Sequence, residues 1–292
     1  MKVGLQVSSF TWDGGPAEIG PTLAEAARLA DEIGFDSIWV MDHFFQIRGN
    51  GPAEDPMLEG TSALAFMAAH TRRVRLGLMV GGIHYRHPGL WAKQTTTLDV
   101  LSSGRAWLGL GAAWNEEEST ALGFPMPPLR DRFELLEETL RLCLGMWEGE
   151  RGSEGRLDGK HVTATRLLNS PQSISRPHPP IMIGGGGEQR TLKLVARYAD
   201  ACNIMRATPE TLERKYEVLR QHCERIGRPY EEIERSALGR VDLGREDPAA
   251  AAERFRALEG AGAQHIIFSL RGTDYLSRLE RVGNELLPLL RD

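Results

Sequence analysis

Cysteine is scarce in this chain, with Cys143, Cys202 and Cys223 the only three in 292 residues. An odd number at wide spacing supports neither a disulfide framework nor a zinc knuckle, and it suits a reducing cytoplasm. A basic excess is also missing: 35 Lys and Arg stand against 40 Asp and Glu, a net charge of -5. With no basic run either, a nucleic-acid partner is not expected. No long apolar run exists. The longest, even counting glycine, is 106–114, far short of the ~20 residues that span a bilayer. No membrane partner is therefore expected, and the first residues, MKVGL, lack the apolar core of a signal peptide. Lysine is thin too. None of Lys2, Lys93, Lys160, Lys193 and Lys215 falls at an expected strand end, which excludes an imine-forming aldolase.

What is present is ordinary globular composition, 41% hydrophobic and 26% charged. Short runs rich in β-branched and apolar residues predict strands at 2–8, 36–41, 74–80, 105–111, 180–183, 200–204, 233–241 and 265–269. Between them, apolar residues at helical spacing predict helices at 21–33, 58–70, 88–101, 130–147, 188–198, 209–226, 248–259 and 275–290. Eight strands alternating with helices favour an α/β (β/α)8 barrel of the TIM type as a single domain over residues 1–292. Residues 149–179, rich in Gly, Ser, Pro and Arg, break the rhythm. They read as an insertion between strands 4 and 5, either a lid at the strands' carboxyl ends or a surface excursion.

Chemistry in such barrels sits at the carboxyl ends of the strands. Those ends carry Asp42 and His43 after strand 2, Val80, Gly81 and Gly82 after strand 3, and Gly111 and Ala112 after strand 4. Asp42 is the one clear strand-end carboxylate, too few for a divalent-metal site. His84 and His87 flank Arg86 ahead of Pro88 with no third ligand, so no metal is expected there. Gly184, Gly185, Gly186 and Gly187 follow strand 5 and precede a helix, where bare backbone can approach a phosphate. They do not form a dinucleotide fingerprint, because Gln189 and Arg190 occupy the later positions. His43 is the best acid or base by type and place, with His84 in reserve.

Four stretches together resemble the bacterial-luciferase-like oxidoreductases, in particular the branch that uses the deazaflavin coenzyme F420: GFDSIWVMDHF at 34–44, residues 73–105, LGLGAAWNEEE at 108–118, and RPHPPIMIGGGGEQRTLKLVARYADACN at 176–203. The resemblance implies a barrel, a homodimer paired through helices 2 and 3, a cofactor lying across the strand ends and a small-molecule substrate. It implies that Asp42 contacts the deazaflavin headgroup and that His43 donates or accepts a proton. Val80, Gly81 and Gly82 would lie against the back of the ring, Gly111 and Ala112 near it, and Gly184 to Gly187 around the cofactor phosphate. The sugar-phosphate dehydrogenases of this branch carry a catalytic glutamate three residues after the glycine matching Gly111. Here that residue is Trp114, with Glu116, Glu117 and Glu118 displaced behind it. The expectation is an F420-dependent hydride-transfer enzyme, with an FMN-dependent monooxygenase as the alternative and a non-catalytic flavin-binding barrel behind both.

Overall fold

Eight parallel strands close on themselves in the computed structural model, which describes residues 1–291. They are β1 (Lys2–Val7), β2 (Ser37–Val40), β3 (Arg75–Leu78), β4 (Ala106–Gly111), β5 (Ile181–Gly184), β6 (Ala201–Met205), β7 (Glu234–Val241) and β8 (His265–Leu270). Each pairs in parallel with the next, and β8 returns to β1 with Lys2 opposite His265. The expected (β/α)8 barrel is therefore the fold. Helices α1 (Pro16–Ile33), α2 (Gly60–Ala69), α3 (Pro88–Leu101), α4 (Glu116–Ala121), α5 (Leu129–Trp147), α6 (Thr191–Tyr198), α7 (Pro209–Ile226), α8 (Pro248–Gly260) and α9 (Tyr275–Arg281) surround it.

The strands are buried on both faces, which is why they read as continuous apolar runs. One set of side chains points outward under the helices. The other fills the barrel, where Trp39, Met79, Trp107, Met182, Ala201 and Ile267 form one cluster. Trp39 and Trp107 meet edge to face at 5.8 Å. A fully buried aliphatic side chain such as Ile267 contributes roughly 1.5–3 kcal/mol.

Three local features differ from the sequence expectation. Strand β3 stops at Leu78, the Met79–Val80 peptide is cis, and Gly81–Gly82 forms a separate short strand against β4. The two chains run so close here that a Cβ on Gly109 would lie 1.9 Å from the Leu78 carbonyl. Helix α4 was not expected. It is six residues long, too short to show a period, and begins where the Asn115 side chain accepts the Glu118 N–H at 3.4 Å. The C-terminal helix is interrupted by a wide turn at Val282–Leu286.

Residues 149–179 contain two small antiparallel hairpins, Gly152–Ser153 with Leu167–Leu168 and Leu157–Asp158 with Thr163–Ala164. The segment links the end of a helix to the start of a strand, so topology brings it out at the amino ends of the strands. Its anchors lie on α5 and α3. Glu138 accepts the N–H groups of Lys160, His161 and Val162 at 2.8, 2.9 and 2.8 Å. Asp99 accepts those of Ile174 and Ser175 at 2.7 and 2.9 Å. No residue of this segment lines the cavity at the carboxyl ends, so the placement gives the lid reading no support. Among the described residues no helix is long and apolar enough to cross a membrane.

Candidate active site

A cavity of about 1020 Å3 lies over the carboxyl ends of the strands. Its floor is the top of the inner cluster, with Met79, Val80 and Leu238 facing upward. Gly81, Gly82, Gly111 and Gly184 border it. Two of these glycines make room for Val80: a Cβ would fall 2.8 Å from it on Gly111 and 2.9 Å on Gly184. The result is a smooth apolar platform, the surface a planar ring system requires.

Asp42 is 1% exposed and its carboxylate is fully engaged. The Arg86 guanidinium donates to both oxygens at 2.7 Å, and the Gly82 N–H donates at 3.0 Å. Arg86 also pairs with Glu59 and lies 4.5 Å above the Trp91 ring. Burial alone would raise the Glu59 pKa, but its bonds to Ser62, Arg86 and Thr61 hold it down at about 2. Asp42 therefore fixes the Gly81–Gly82 strand at the cavity wall.

His43 lines the cavity. Its Nδ1 lies 3.0 Å from Oε1 of Glu118, its ring meets Trp114 edge to face at 5.5 Å, and Nε2 has no hydrogen-bond partner among the described residues. Glu118 is completely buried. Besides His43 it accepts the N–H groups of Phe44 and Phe45, at 2.5 and 2.7 Å, and the Tyr85 hydroxyl. Burial opposes its ionisation, but these donors outweigh it and keep the carboxyl below its ordinary range. Burial and Glu118 together push the Tyr85 phenol upward.

His84 is absent from the cavity wall. It packs behind Tyr85, with ring centroids 4.1 Å apart, and its Nε2 lies 2.7 Å from Ser119 Oγ. Burial, with Arg132 nearby, lowers its pKa to about 4. The chain turns at Tyr85 so that His84 faces α4 instead of the cavity.

At the opposite wall the four glycines form a turn. Gly185 has φ +117° and donates its N–H to the Asn203 carbonyl at 3.0 Å. Gly186 and Gly187 line the cavity, and among the described residues their N–H groups have no partner. Helix α6 begins without a side-chain cap. Two free amides beside an uncapped helix start fit an anion. Arg206 and Arg240 stand at the same end, with Arg271 behind. No carboxylate lies within 4.0 Å of these three among the described residues. Burial, then Arg271 and Arg206, lowers the Arg240 pKa.

The structure thus gathers Asp42, His43, Val80, Gly81, Gly82, Gly111, Ala112 and Gly184 to Gly187 around one cavity and leaves His84 outside. The sequence placed Glu118 only as one of three glutamates displaced behind Trp114, and it assigned no role to Tyr85 or Arg86.

Residues 1–288 match the sequence profile described as luciferase-like monooxygenase. An F420-dependent glucose-6-phosphate dehydrogenase of Kineococcus radiotolerans is 34% identical over 80% of this chain and 67% of its own length. Its namesake in Amycolatopsis mediterranei is 24% identical over 100% and 99%. Among solved structures, the F420-dependent tetrahydromethanopterin reductase of Methanopyrus kandleri superposes with a TM-score of 0.79, at 17% identity and 98% coverage of both chains.

Proposed function

Because the chain belongs to the luciferase-like monooxygenase family, we propose that the cavity is the site of an F420-dependent oxidoreductase acting on a small organic molecule. One observation carries the reading: a glycine-bordered apolar platform has a histidine nitrogen open to it on one side and unpaired amides on the other. The related dehydrogenases named for F420 support the deazaflavin over FMN.

The bound deazaflavin supplies hydride transfer, and the chain's residues do the rest. Val80, Gly81, Gly82 and Ala112 offer the face for the ring. Gly186 and Gly187 N–H groups suit its phosphate, and the arginine rim favours further negative charge. His43 carries the proton.

Trp114 is 58% exposed at the cavity edge. It stands at the position that the resemblance gives to the glutamate of sugar-phosphate oxidation. Glu118 does not replace that glutamate, being buried behind His43. This argues against glucose 6-phosphate as the substrate.

Helices α2 and α3 expose Phe66, Leu90 and Leu101 beside a groove of about 370 Å3, which supports a homodimer through this face. Three unpaired cysteines are consistent with a cytoplasmic protein.

Fluorescence titration with F420 and with FMN tests the reading. F420 binding well ahead of FMN is expected. Micromolar FMN binding without F420 binding, with oxygen consumed on adding reduced FMN, would overturn it.

A further inference from the structure

The two nitrogens of His43 have unlike surroundings. Nδ1 faces Glu118 at 3.0 Å, and Nε2 faces the cavity without a protein partner among the described residues. An ionised carboxylate can only accept hydrogen bonds. Glu118 has one oxygen on two backbone N–H groups and the other on Nδ1 and the Tyr85 hydroxyl. Every neighbour in this cluster is a donor, so the proton on the His43–Glu118 contact belongs to Nδ1.

We infer that Glu118 is a positioning residue that locks neutral His43 in its Nδ1–H form and so presents the Nε2 lone pair to the cavity as a base. This rests on the role proposed above for His43 and defines it for the oxidation of a carbinol, the reverse reduction using the same imidazolium as its acid. The substrate O–H bond breaks and its proton forms a bond to Nε2. The electron pair left on oxygen would then close the carbonyl, with a bound deazaflavin supplying the acceptor for the hydride that leaves the adjacent carbon. The resulting imidazolium rests on the Glu118 carboxylate, so the charge created in the buried site has its counter-ion in place.

The other groups around His43 do not compete for this role. Asp42 is adjacent in the chain but is neutralised by Arg86 at 2.7 Å. The Tyr85 phenol is pushed upward and stays a neutral donor. Trp114 packs against the ring edge and carries no charge. Glu118 also anchors the Phe44 and Phe45 backbone, and the test must separate that structural part from its hold on the imidazole.

The test is nitrogen–proton correlation spectroscopy of the imidazole in the whole protein without cofactor or substrate, with His43→Ala identifying the signal. Wild type is expected to show hydrogen on Nδ1 at high pH. Glu118→Gln keeps the size and the acceptor oxygen but removes the charge, and its amide can donate to Nδ1. That variant should mix the tautomers, with a clear Nε2–H signal appearing beside the Nδ1–H one. An Nε2–H signal in wild type would overturn the inference. So would a folded Glu118→Gln protein with the tautomer unchanged. If that variant does not fold, the wild-type tautomer still decides. Because no turnover is measured, failure here is distinct from failure of the proposed F420 chemistry, which the cofactor titration reads.

Discussion

The barrel holds two glutamate–histidine pairs, one at each end, and they differ in what the second ring nitrogen meets. At the carboxyl ends Glu118 holds His43 by Nδ1, and Nε2 opens onto the cavity. At the amino ends Glu234 holds His265 by Nδ1 at 2.8 Å, and Nε2 lies 3.0 Å from Ser37 Oγ. Ser37 also accepts the Trp39 indole N–H at 2.7 Å. Glutamate, histidine and serine in that order are the parts of a hydrolase triad. Ser37 and His265 are only 1% and 3% exposed, however, and neither cavity reaches them. The lower cluster is a satisfied polar plug and the upper one is a plug with one valence left open. The same residues stabilise in one place and can react in the other, and access alone makes the difference.

Removing each histidine should split the two roles. His43→Ala should lower kcat by ~10²–10⁴, the usual loss for a general acid or base, with F420 affinity nearly unchanged. An undiminished kcat would put the proton step elsewhere. His265→Ala should do the reverse. It leaves the largely buried Glu234 carboxylate without its main partner and should cost about 3 kcal/mol in denaturant unfolding, with kcat unchanged in the folded protein. A stable His265→Ala protein with lost activity would break the comparison.

The lower plug should also show in acid. Burial would raise the Glu234 pKa, but His265 and Lys2 outweigh it and hold it at about 2. The folded state therefore binds this proton more weakly than the unfolded chain, whose glutamates titrate near ~4.3. The stability it contributes is present above that value and is lost as pH falls toward 2. Unfolding free energy measured across this window should fall in wild type and fall less steeply in His265→Ala.

The contrast also shows what a sequence can convey. The barrel was legible because a strand buried on both faces must be apolar throughout, and eight such runs alternate with helical periods. His43 was legible because it follows the second run directly. Its partner was not, because Glu118 lies 75 residues away on a helix too short to show a period, and nothing local says which of three glutamates turns inward. Asp42 was read correctly as a strand-end residue. Its saturation by Arg86 depends on a loop that folds back across 44 residues, and that closure has no local signature. His84 had the right type and neighbourhood, and only the turn of the backbone at Tyr85 takes it away from the cavity.

The glycine turn offers a smaller effect on the cavity's far wall. Of its four glycines only Gly185 has a left-handed φ, +117°. A Cβ on Gly186 would meet nothing closer than Lys215 Cε at 3.6 Å. Gly185→Val should strain the turn, displace the Gly186 and Gly187 amides and weaken cofactor binding by at least ~10-fold, about 1.4 kcal/mol. Gly186→Ala should bind almost normally. Melting temperature and affinity measured together separate loss of the phosphate site from loss of the fold. A folded Gly185→Val protein with unchanged affinity would move the phosphate to the arginine rim.

The smallest effect is expected from the segment that looked most like a lid. Its hairpin tip, residues 157–164, is fastened to the outside of α5 by Glu138 and lines no part of the cavity. Replacing 157–164 with a short glycine-containing turn removes those three hydrogen bonds and the contacts of Leu157 and Val162 with the core. Buried Glu138 would then face lost donors, so the variant should also carry Glu138→Gln. Some stability should be lost, because both apolar residues are buried. Yet kcat, KM and F420 affinity should stay within about twofold, since a helix-to-strand connection emerges at the face opposite the strands' carboxyl ends. A large rise in KM with the fold intact would show that the segment reaches the substrate in a state other than this one.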